Sequence, residues 1–213
     1  MCSCVYRCRY FPPEVRIVMK KRLLNATRLL AYVALAALTF TACKKETNNG
    51  PNPNDEEVIT TLRVALTDSA TNAVTTFRFY DLDGDGGAQA TVDTIRLRPN
   101  TRYFASLSLL DESTNPAGDV TEEIREEEND HQFFFTTTNP TLSVTYDTAD
   151  YDSNNPPKPV GLQTKWLSGN AQRTSVRIIL KHQPAIKSTI TNPLGDVTRG
   201  DTDVDLTFPV VVE

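Results

Sequence analysis

The clearest metal-binding pattern in the chain is the acidic, glycine-rich stretch DLDGDGG at positions 81–87. Carboxylates at alternate positions can converge on one hard cation, and the glycines let the backbone curl around it, as in the first half of an EF-hand loop. Val92 stands where that loop has its bidentate glutamate, so a complete EF-hand is excluded. The stretch predicts a calcium site built from Asp81, Asp83 and Asp85 and completed by the Gly87 carbonyl, water or Asp93. The alternative is a hairpin turn whose aspartates and glycines serve only backbone geometry.

Two histidines, His131 and His182, are the only ones in the chain, and each precedes a glutamine at one end of a predicted strand. Imidazole nitrogens bind zinc, other transition metals and heme iron. If the two strands are neighbours, the pair is expected to hold heme or a metal ion. Nothing in the sequence brings the two side chains together, so two unrelated strand-end histidines remain the alternative.

Two further acidic segments have weaker patterns. The stretch DYDSNN at 150–155 repeats the alternation of carboxylates, and a plain turn is its favoured interpretation. In a helix predicted from 120 to 129, Glu122 and Glu126 lie four residues apart, as do Glu123 and Glu127, and like charges at that spacing repel. A cation or a basic partner would offset the repulsion, although a solvated charged face is the commoner explanation.

Catalysis has little support in the sequence. It has no G-x-S-x-G nucleophile elbow, no glycine-rich phosphate loop and no H-E-x-x-H helix. A carboxylate-dependent glycosidase is conceivable, but it needs two acids roughly 5–10 Å apart across a cleft. Because abundant acidic residues are no evidence for such a pair, we expect a protein without catalytic activity.

The N-terminal region has the organisation of a secretory signal. From Met19 the chain passes through three basic residues into a 12-residue apolar run at 29–40 and then reaches Cys43. The run is shorter than the roughly 20 residues that span a membrane, so we interpret it as a segment to be removed. The residues before Cys43 resemble a bacterial lipobox, which implies that Cys43 is lipidated and anchors the protein to the outer membrane.

These features divide the chain into four parts. Residues 1–18 are interpreted as a start-site artefact, 19–42 as the signal peptide, 43–55 as a disordered tether and 56–213 as a single domain. Removal of the basic leader makes the remaining chain more acidic than the net charge of −5 of the whole sequence. Such a surface repels nucleic acid and attracts divalent cations. With Cys43 as the only remaining cysteine, no internal disulfide is expected.

Nine segments of the domain alternate apolar or β-branched residues with polar ones, which is typical of half-buried strands. They are 58–67, 74–81, 91–97, 102–110, 132–136, 142–147, 162–167, 176–182 and 204–212. One short surface helix is predicted from Val120 to Asn129, with Asp119 as its N-cap. Strands do not alternate with amphipathic helices, so a parallel α/β fold is disfavoured. The expected fold is all-β, an antiparallel sandwich of eight or nine strands.

The stretch LRPNTRY at 97–103 is similar to the L-x-P-x-T-x-Y corner of fibronectin type III domains. In such a corner the tyrosine hydroxyl bonds back to the upstream backbone and holds a crossover between sheets. The resemblance implies an immunoglobulin-like or fibronectin-III-like sandwich, with that role for Tyr103 and a core position for Leu97. The alternative is a tyrosine that begins an ordinary amphipathic strand.

More widely, the mature chain resembles a group of small lipoproteins from Bacteroidota. The segments that carry the resemblance are 83–87 (DGDGG), 121–124 (TEEI), 131–135 (HQFFF), 182–184 (HQP) and 203–210. It implies an envelope location. We therefore expect a lipid-anchored, non-catalytic module for binding, adhesion or assembly, stabilised by calcium, whose partner is an envelope protein or glycan. Capture of heme or a transition metal by His131 and His182, for a transporter, is the alternative.

Overall fold

The computed structural model describes residues 57–84, 87–187 and 195–213. These residues belong to one compact unit, Asn54–Glu213. The predicted signal peptide, the lipidation site Cys43, the tether and Asp85 lie outside the described residues. Within those residues, no helix is both long enough and apolar enough to cross a membrane.

Eleven strands in two sheets account for about half of the described residues. The larger sheet contains β1 (Thr61–Asp68), β2 (Val74–Tyr80), β3 (Thr91–Val92), β5 (Arg102–Asp111), β6 (Gly118–Asp119), β8 (Leu142–Tyr146) and β9 (Gln163–Ser168). The smaller sheet contains β4 (Ile95–Leu97), β7 (His131–Thr137), β10 (Gln172–His182) and β11 (Asp201–Val212). A helix, α1 (Val120–Glu126), and a short 3-10 helix (Thr148–Asp150) complete the regular elements. The prediction of an all-β fold with one helix is confirmed.

The alternation seen in the sequence produces the two faces of each sheet. The larger sheet has the order β3-β2-β1-β5-β9-β8, with β6 on the free end of β5, and the smaller has the order β4-β11-β10-β7. In β1, Leu62, Val64 and Leu66 are buried, while the residues between them are half-buried. Trp166 of β9 and Phe208 of β11 are fully buried in the same core. The apolar faces thus lie together, as in a sandwich.

The strand predicted at 91–97 is in fact two strands in different sheets. β3 pairs with β2, whereas β4 runs parallel to β11, so the expectation of antiparallel pairing is wrong for β4. Asp93 lies at the break, where its Oδ2 accepts from Arg78 N at 2.8 Å and its own N–H donates to Arg78 O. The aspartate takes the place of a strand partner and lets the chain change sheets.

The helix is shorter and less exposed than predicted. It ends at Glu126, and the Asp119 side chain caps it by accepting from Thr121 N. Val120 and Ile124, four residues apart, are buried, and Thr121 Oγ1 exchanges hydrogen bonds with the backbone of Leu109 on β5. Two apolar residues on one face are therefore enough to dock the helix, while its glutamates stay outside.

The predicted tyrosine corner is present. The Tyr103 hydroxyl accepts a hydrogen bond from Arg98 N at 2.8 Å, and Leu97 is buried. Between these residues the chain leaves β4 in the smaller sheet and begins β5 in the larger one. Ser168 Oγ reinforces the crossover by donating to Arg98 O at 2.6 Å.

We expect Tyr103→Phe to destabilise the domain by about 1–3 kcal/mol, because the Arg98 N–H would lose its partner in a part-buried position. Urea unfolding followed by tryptophan fluorescence measures the change. Tyr80→Phe is the matched control, because the Tyr80 ring lies at the sheet surface beneath Arg78. Equal stability of the two variants would mean that the corner contributes no net stability.

Candidate metal centre

The two histidines lie side by side at the end of the smaller sheet. His131 begins β7 and His182 ends β10, and the antiparallel register places them directly opposite each other. Their rings stack with centroids 4.6 Å apart and planes 12° apart. The His131 side chain has no exposed surface, and His182 is buried beside it. The structure thus brings together a pair whose proximity the sequence left open.

Three carboxylates surround His131. Its Nε2 lies 3.3 Å from Glu57 Oε1 and 3.9 Å from Asp203 Oδ2. On the opposite edge of the ring, Nδ1 lies 3.4 Å from the backbone oxygen of Glu127 and 3.9 Å from its Oε2. We call these five residues, Glu57, Glu127, His131, His182 and Asp203, the histidine cluster.

A β-bulge brings Asp203 into the cluster. In the β10–β11 ladder, Leu180 pairs with Val204 but Lys181 pairs with Thr202, so Asp203 is the extra residue. A bulge turns a side chain away from the direction that strict alternation gives it. The Asp203 side chain is only 1 % exposed, whereas that of Asp205, two residues further on, is 41 % exposed and pairs with Arg177.

Glu57 and Glu127 reach the cluster from segments outside the smaller sheet. Glu57 is the first described residue, ahead of β1, and its side chain is 10 % exposed. Glu127 follows α1, where its N–H donates to Glu123 O, and its own carbonyl accepts from His131 N. This turn holds the Glu127 carbonyl beside the His131 ring. The cluster is therefore built from four separate parts of the chain.

The carboxylates determine the charge of His131. Burial by itself lowers the pKa of an imidazole, but the close contact with Glu57 and the charges of Glu57 and Asp203 outweigh it, so the pKa of His131 is raised. Burial tends to raise the pKa of Glu57, but His131 and His182 reverse this and leave it lowered. Glu57 Oε2 is buried and has no hydrogen-bond partner among the described residues. A buried carboxylate oxygen without a hydrogen-bond partner indicates an additional donor, water or ion at this point.

Two overlapping groups of ligand atoms satisfy the spacing of a metal site. In one, Glu57, His131 and Asp203 each offer an atom within 4.8 Å of the others, and in the second Glu127, His131 and His182 do so. An imidazole binds a metal in the plane of its ring. The stacked rings have nearly parallel planes, so one ion cannot lie in both until a ring turns. Glu57, His131 and Asp203 need no such movement.

The same stacking bears on heme. Two histidines that ligate heme iron approach it from opposite faces of the macrocycle. Rings in face-to-face contact at 4.6 Å have no macrocycle between them. The geometry of His131 and His182 therefore favours a bare ion over heme.

The predicted calcium ligands have backbone partners in the described residues. Asp81 Oδ1 accepts from Gly84 N at 3.0 Å, Asp83 Oδ2 accepts from Ala88 N at 2.8 Å, and Asp93 has the strand-break role given above. At Gly87 an added Cβ would lie 2.2 Å from Asp83 Oδ2, so only glycine allows this close approach. These contacts are typical of a turn, and calcium binding here stays a prediction.

The cleft beside this turn leads toward the cluster. It has a volume of about 380 Å³, and its lining includes Asp81, Gly84, Asp203 and Asp205. The Asp81 carboxylate is held by Gly84, and that of Asp205 by Arg177. Asp81 and Asp205, two of the three aspartates that line this cleft, are therefore engaged in other contacts.

Sequence reasoning identified His131, His182 and, within the acidic helix, Glu127. It missed Glu57, which falls at the junction of the predicted tether and domain, because a single glutamate beside a polar tract has no periodic pattern. It also missed Asp203, because alternation along β11 gives no sign of a bulge. The sequence signal that could have placed His131 beside His182 was the antiparallel pairing of the two predicted strands that carry them.

In chelator-treated protein, Glu57→Gln is expected to lower the pKa of His131, because the negative charge that favours the imidazolium is lost. The stability supplied by the raised His131 pKa is complete below its ordinary value of 6.5 and is lost as pH rises through the folded value. The share supplied by the lowered Glu57 pKa is lost as pH falls through a folded value below 4.5. The loss of stability in Glu57→Gln relative to the wild type should therefore be greatest at pH values between the folded pKa of Glu57 and that of His131. Imidazole NMR titration and urea unfolding across pH measure both effects.

Glu122→Gln, on the exposed face of α1, is the control for this prediction. An unchanged His131 titration in Glu57→Gln would contradict the pairing of the two side chains.

Comparison with known proteins identifies no family for this chain. No family model matches it, no curated protein matches it, and no solved structure matches it. The resemblance to Bacteroidota lipoproteins stays a prediction, and the functional conclusion depends on the histidine cluster.

Proposed function

We propose that this protein is a lipid-anchored, non-catalytic module of the bacterial envelope that binds a divalent transition-metal ion of the zinc class. The observation that supports the proposal is the convergence of Glu57, His131 and Asp203, whose ligand atoms lie within 4.8 Å of one another. Small side-chain adjustments bring atoms at this separation onto an ion with bonds of about 2.0–2.2 Å. An ion there would also contact the buried Glu57 Oε2, which has no hydrogen-bond partner among the described residues.

The other edge of His131 supports the same assignment. A backbone carbonyl only accepts, so the contact between Nδ1 and Glu127 O requires the proton on Nδ1. In metal-binding histidines, the N–H of the second ring nitrogen commonly donates a hydrogen bond to a carbonyl in this way, which fixes the tautomer and the ring orientation. The lone pair of Nε2 is then directed to the side of Glu57 and Asp203. Because the pKa of His131 is raised and a metal binds the neutral imidazole, metal binding is expected to release a proton from the protonated fraction of His131.

The ligand chemistry selects the class of ion. One imidazole with two carboxylates suits zinc and its neighbours, whereas calcium and magnesium prefer ligand sets made entirely of oxygen. Glu127, at 38 % exposure, is the most open member of the cluster. We therefore expect an arriving ion to meet the Glu127 carboxylate first and then to pass to Glu57, His131 and Asp203. A buried ligand set beside one exposed carboxylate suits capture and transfer to an envelope partner.

Titration of chelator-treated mature protein with zinc, followed by calorimetry, is expected to show one ion per chain and its loss in His131→Ala. Asp203→Asn should weaken binding by about tenfold or more, because even residues that only support metal ligands typically cost 10–100-fold. At a hundredfold excess of zinc over Kd, the wild type should gain about 2.7 kcal/mol of stability.

Asp205→Asn is the matched control, since this carboxylate lies on the same strand but pairs with Arg177. Zinc binding by His131→Ala with wild-type affinity would exclude the cluster as the site.

The anchor has its own test. Mass spectrometry of membrane-extracted protein should find a lipidated N-terminal Cys43. Cys43→Ala should move the protein to the soluble fraction, because the variant lacks acyl chains that contribute about 0.8 kcal/mol per buried methylene. Retention of that variant in the membrane would contradict the anchor.

A further inference from the structure

Lys187 pairs with Asp152 in the second acidic stretch, whose alternating carboxylates gave a weak ion-site pattern with a plain turn as the favoured interpretation. Lys187 Nζ lies 2.8 Å from Asp152 Oδ2, and the two side chains are 1 % and 0 % exposed. Lys187 Nζ also donates to Glu128 O at 2.8 Å. Asp152 accepts in addition from the backbone N–H of Lys158 at 2.7 Å and from the Asn154 side chain. The ammonium therefore has the oxygen partners that a bound cation would have.

Burial acts on both charges of this pair: it lowers the pKa of Lys187, which Asp152 offsets only in part. Burial tends to raise the pKa of Asp152, but Lys187, Asn154 and Lys158 outweigh it and leave the pKa lowered. The carboxylate is thus held in its charged form inside the protein. A buried ion pair with well-placed additional hydrogen bonds gives a specific geometry, although removal of one partner leaves the other charge unpaired.

This pair braces the segment that carries the metal centre. Residues 128–130 connect Glu127 to His131, and each of them is held from outside. Lys187 binds Glu128 O, Asn154 Nδ2 donates to Asn129 O at 3.4 Å, and Gln183 N donates to Asp130 O at 2.6 Å. The loop at 150–158 and the chain after β10 therefore fix the turn that places the Glu127 carbonyl against His131 Nδ1.

We propose that Lys187 is a built-in cation that takes the place of a metal ion in the loop at 150–158 and acts as a positioning residue for His131. The inference rests on the proposed function for its effect on metal binding. It assigns to Lys187 no contact with the bound ion. Its action passes through Glu128 and the Glu127 carbonyl to the tautomer and orientation of the His131 ring.

The first experiment measures zinc affinity by calorimetry in Lys187→Met, which keeps the apolar stem and removes the ammonium. We expect affinity to fall by about 10–100-fold, the usual effect of losing a group that orients a metal ligand. Lys165→Met is the matched control, because Lys165 pairs with Asp147 at 3.1 Å on the surface of β9. Equal zinc affinity in wild type and folded Lys187→Met would overturn the positioning role.

The second measurement does not depend on zinc. In metal-free protein, the ¹⁵N–¹H signal of His131 Nδ1–H should shift or broaden in Lys187→Met and remain in Lys165→Met. If the wild type binds no zinc but this signal responds as expected, the proposed function fails and the positioning role stands. An unchanged signal in Lys187→Met overturns the inference whatever the zinc result.

The third measurement tests whether the Lys187 ammonium acts as a bound cation. It also gives a result if Lys187→Met folds poorly. Lys187→Ala leaves a space beside Asp152 and Glu128 O that n-butylammonium can fill. We expect this ion to raise the melting temperature of Lys187→Ala more than that of Lys165→Ala. Tetramethylammonium, which has no N–H donor, should have no such selective effect. The assignment would be overturned if n-butylammonium and tetramethylammonium raised the melting temperature of Lys187→Ala equally. It would also be overturned if n-butylammonium raised the melting temperatures of Lys187→Ala and Lys165→Ala equally.

Discussion

The structure at one end of the sandwich depends on the burial of the His131 imidazole among carboxylates, which raise its pKa and favour its charged form. A charge removed from water is tolerated only when opposite charges and hydrogen bonds surround it. His131 meets that condition through Glu57, Asp203 and the Glu127 carbonyl, which come from three other segments. The start of the domain, the end of the helix and the bulged strand must therefore all reach one point, and their local conformations follow from that requirement.

Buried polar groups are also present at the tyrosine corner. The Arg98 N–H donates to the Tyr103 hydroxyl, and the Arg98 guanidinium pairs with the buried Asp68 carboxylate. Ser168 Oγ donates to Arg98 O beside the buried Leu97. The buried carboxylate of Asp68 therefore has an opposite charge beside it, as that of Asp152 has in Lys187.

Local patterns predicted much of the fold and only part of the candidate site. Alternation is a property of neighbouring residues, so the long strands β1, β5 and β10 could be recognised from the sequence. The break at Asp93 could not, because it depends on a hydrogen bond to Arg78 in another strand. The candidate site was harder to predict, because its residues meet through contacts between distant parts of the chain. The approach of His131 to His182 depends on which strands pair, and the approach of Asp203 depends on a register shift.

Because Asp203 is the extra residue of a bulge, it can be removed from the histidine cluster without loss of a pair in the β10–β11 ladder. Since Asp203 is the one residue of β11 that interrupts the register with β10, its deletion would restore continuous pairing from Leu180 to Lys181. The strand would become more regular at the moment when the cluster lost a carboxylate. A change of one codon in length would therefore remove one carboxylate of the histidine cluster and leave the β10–β11 ladder continuous.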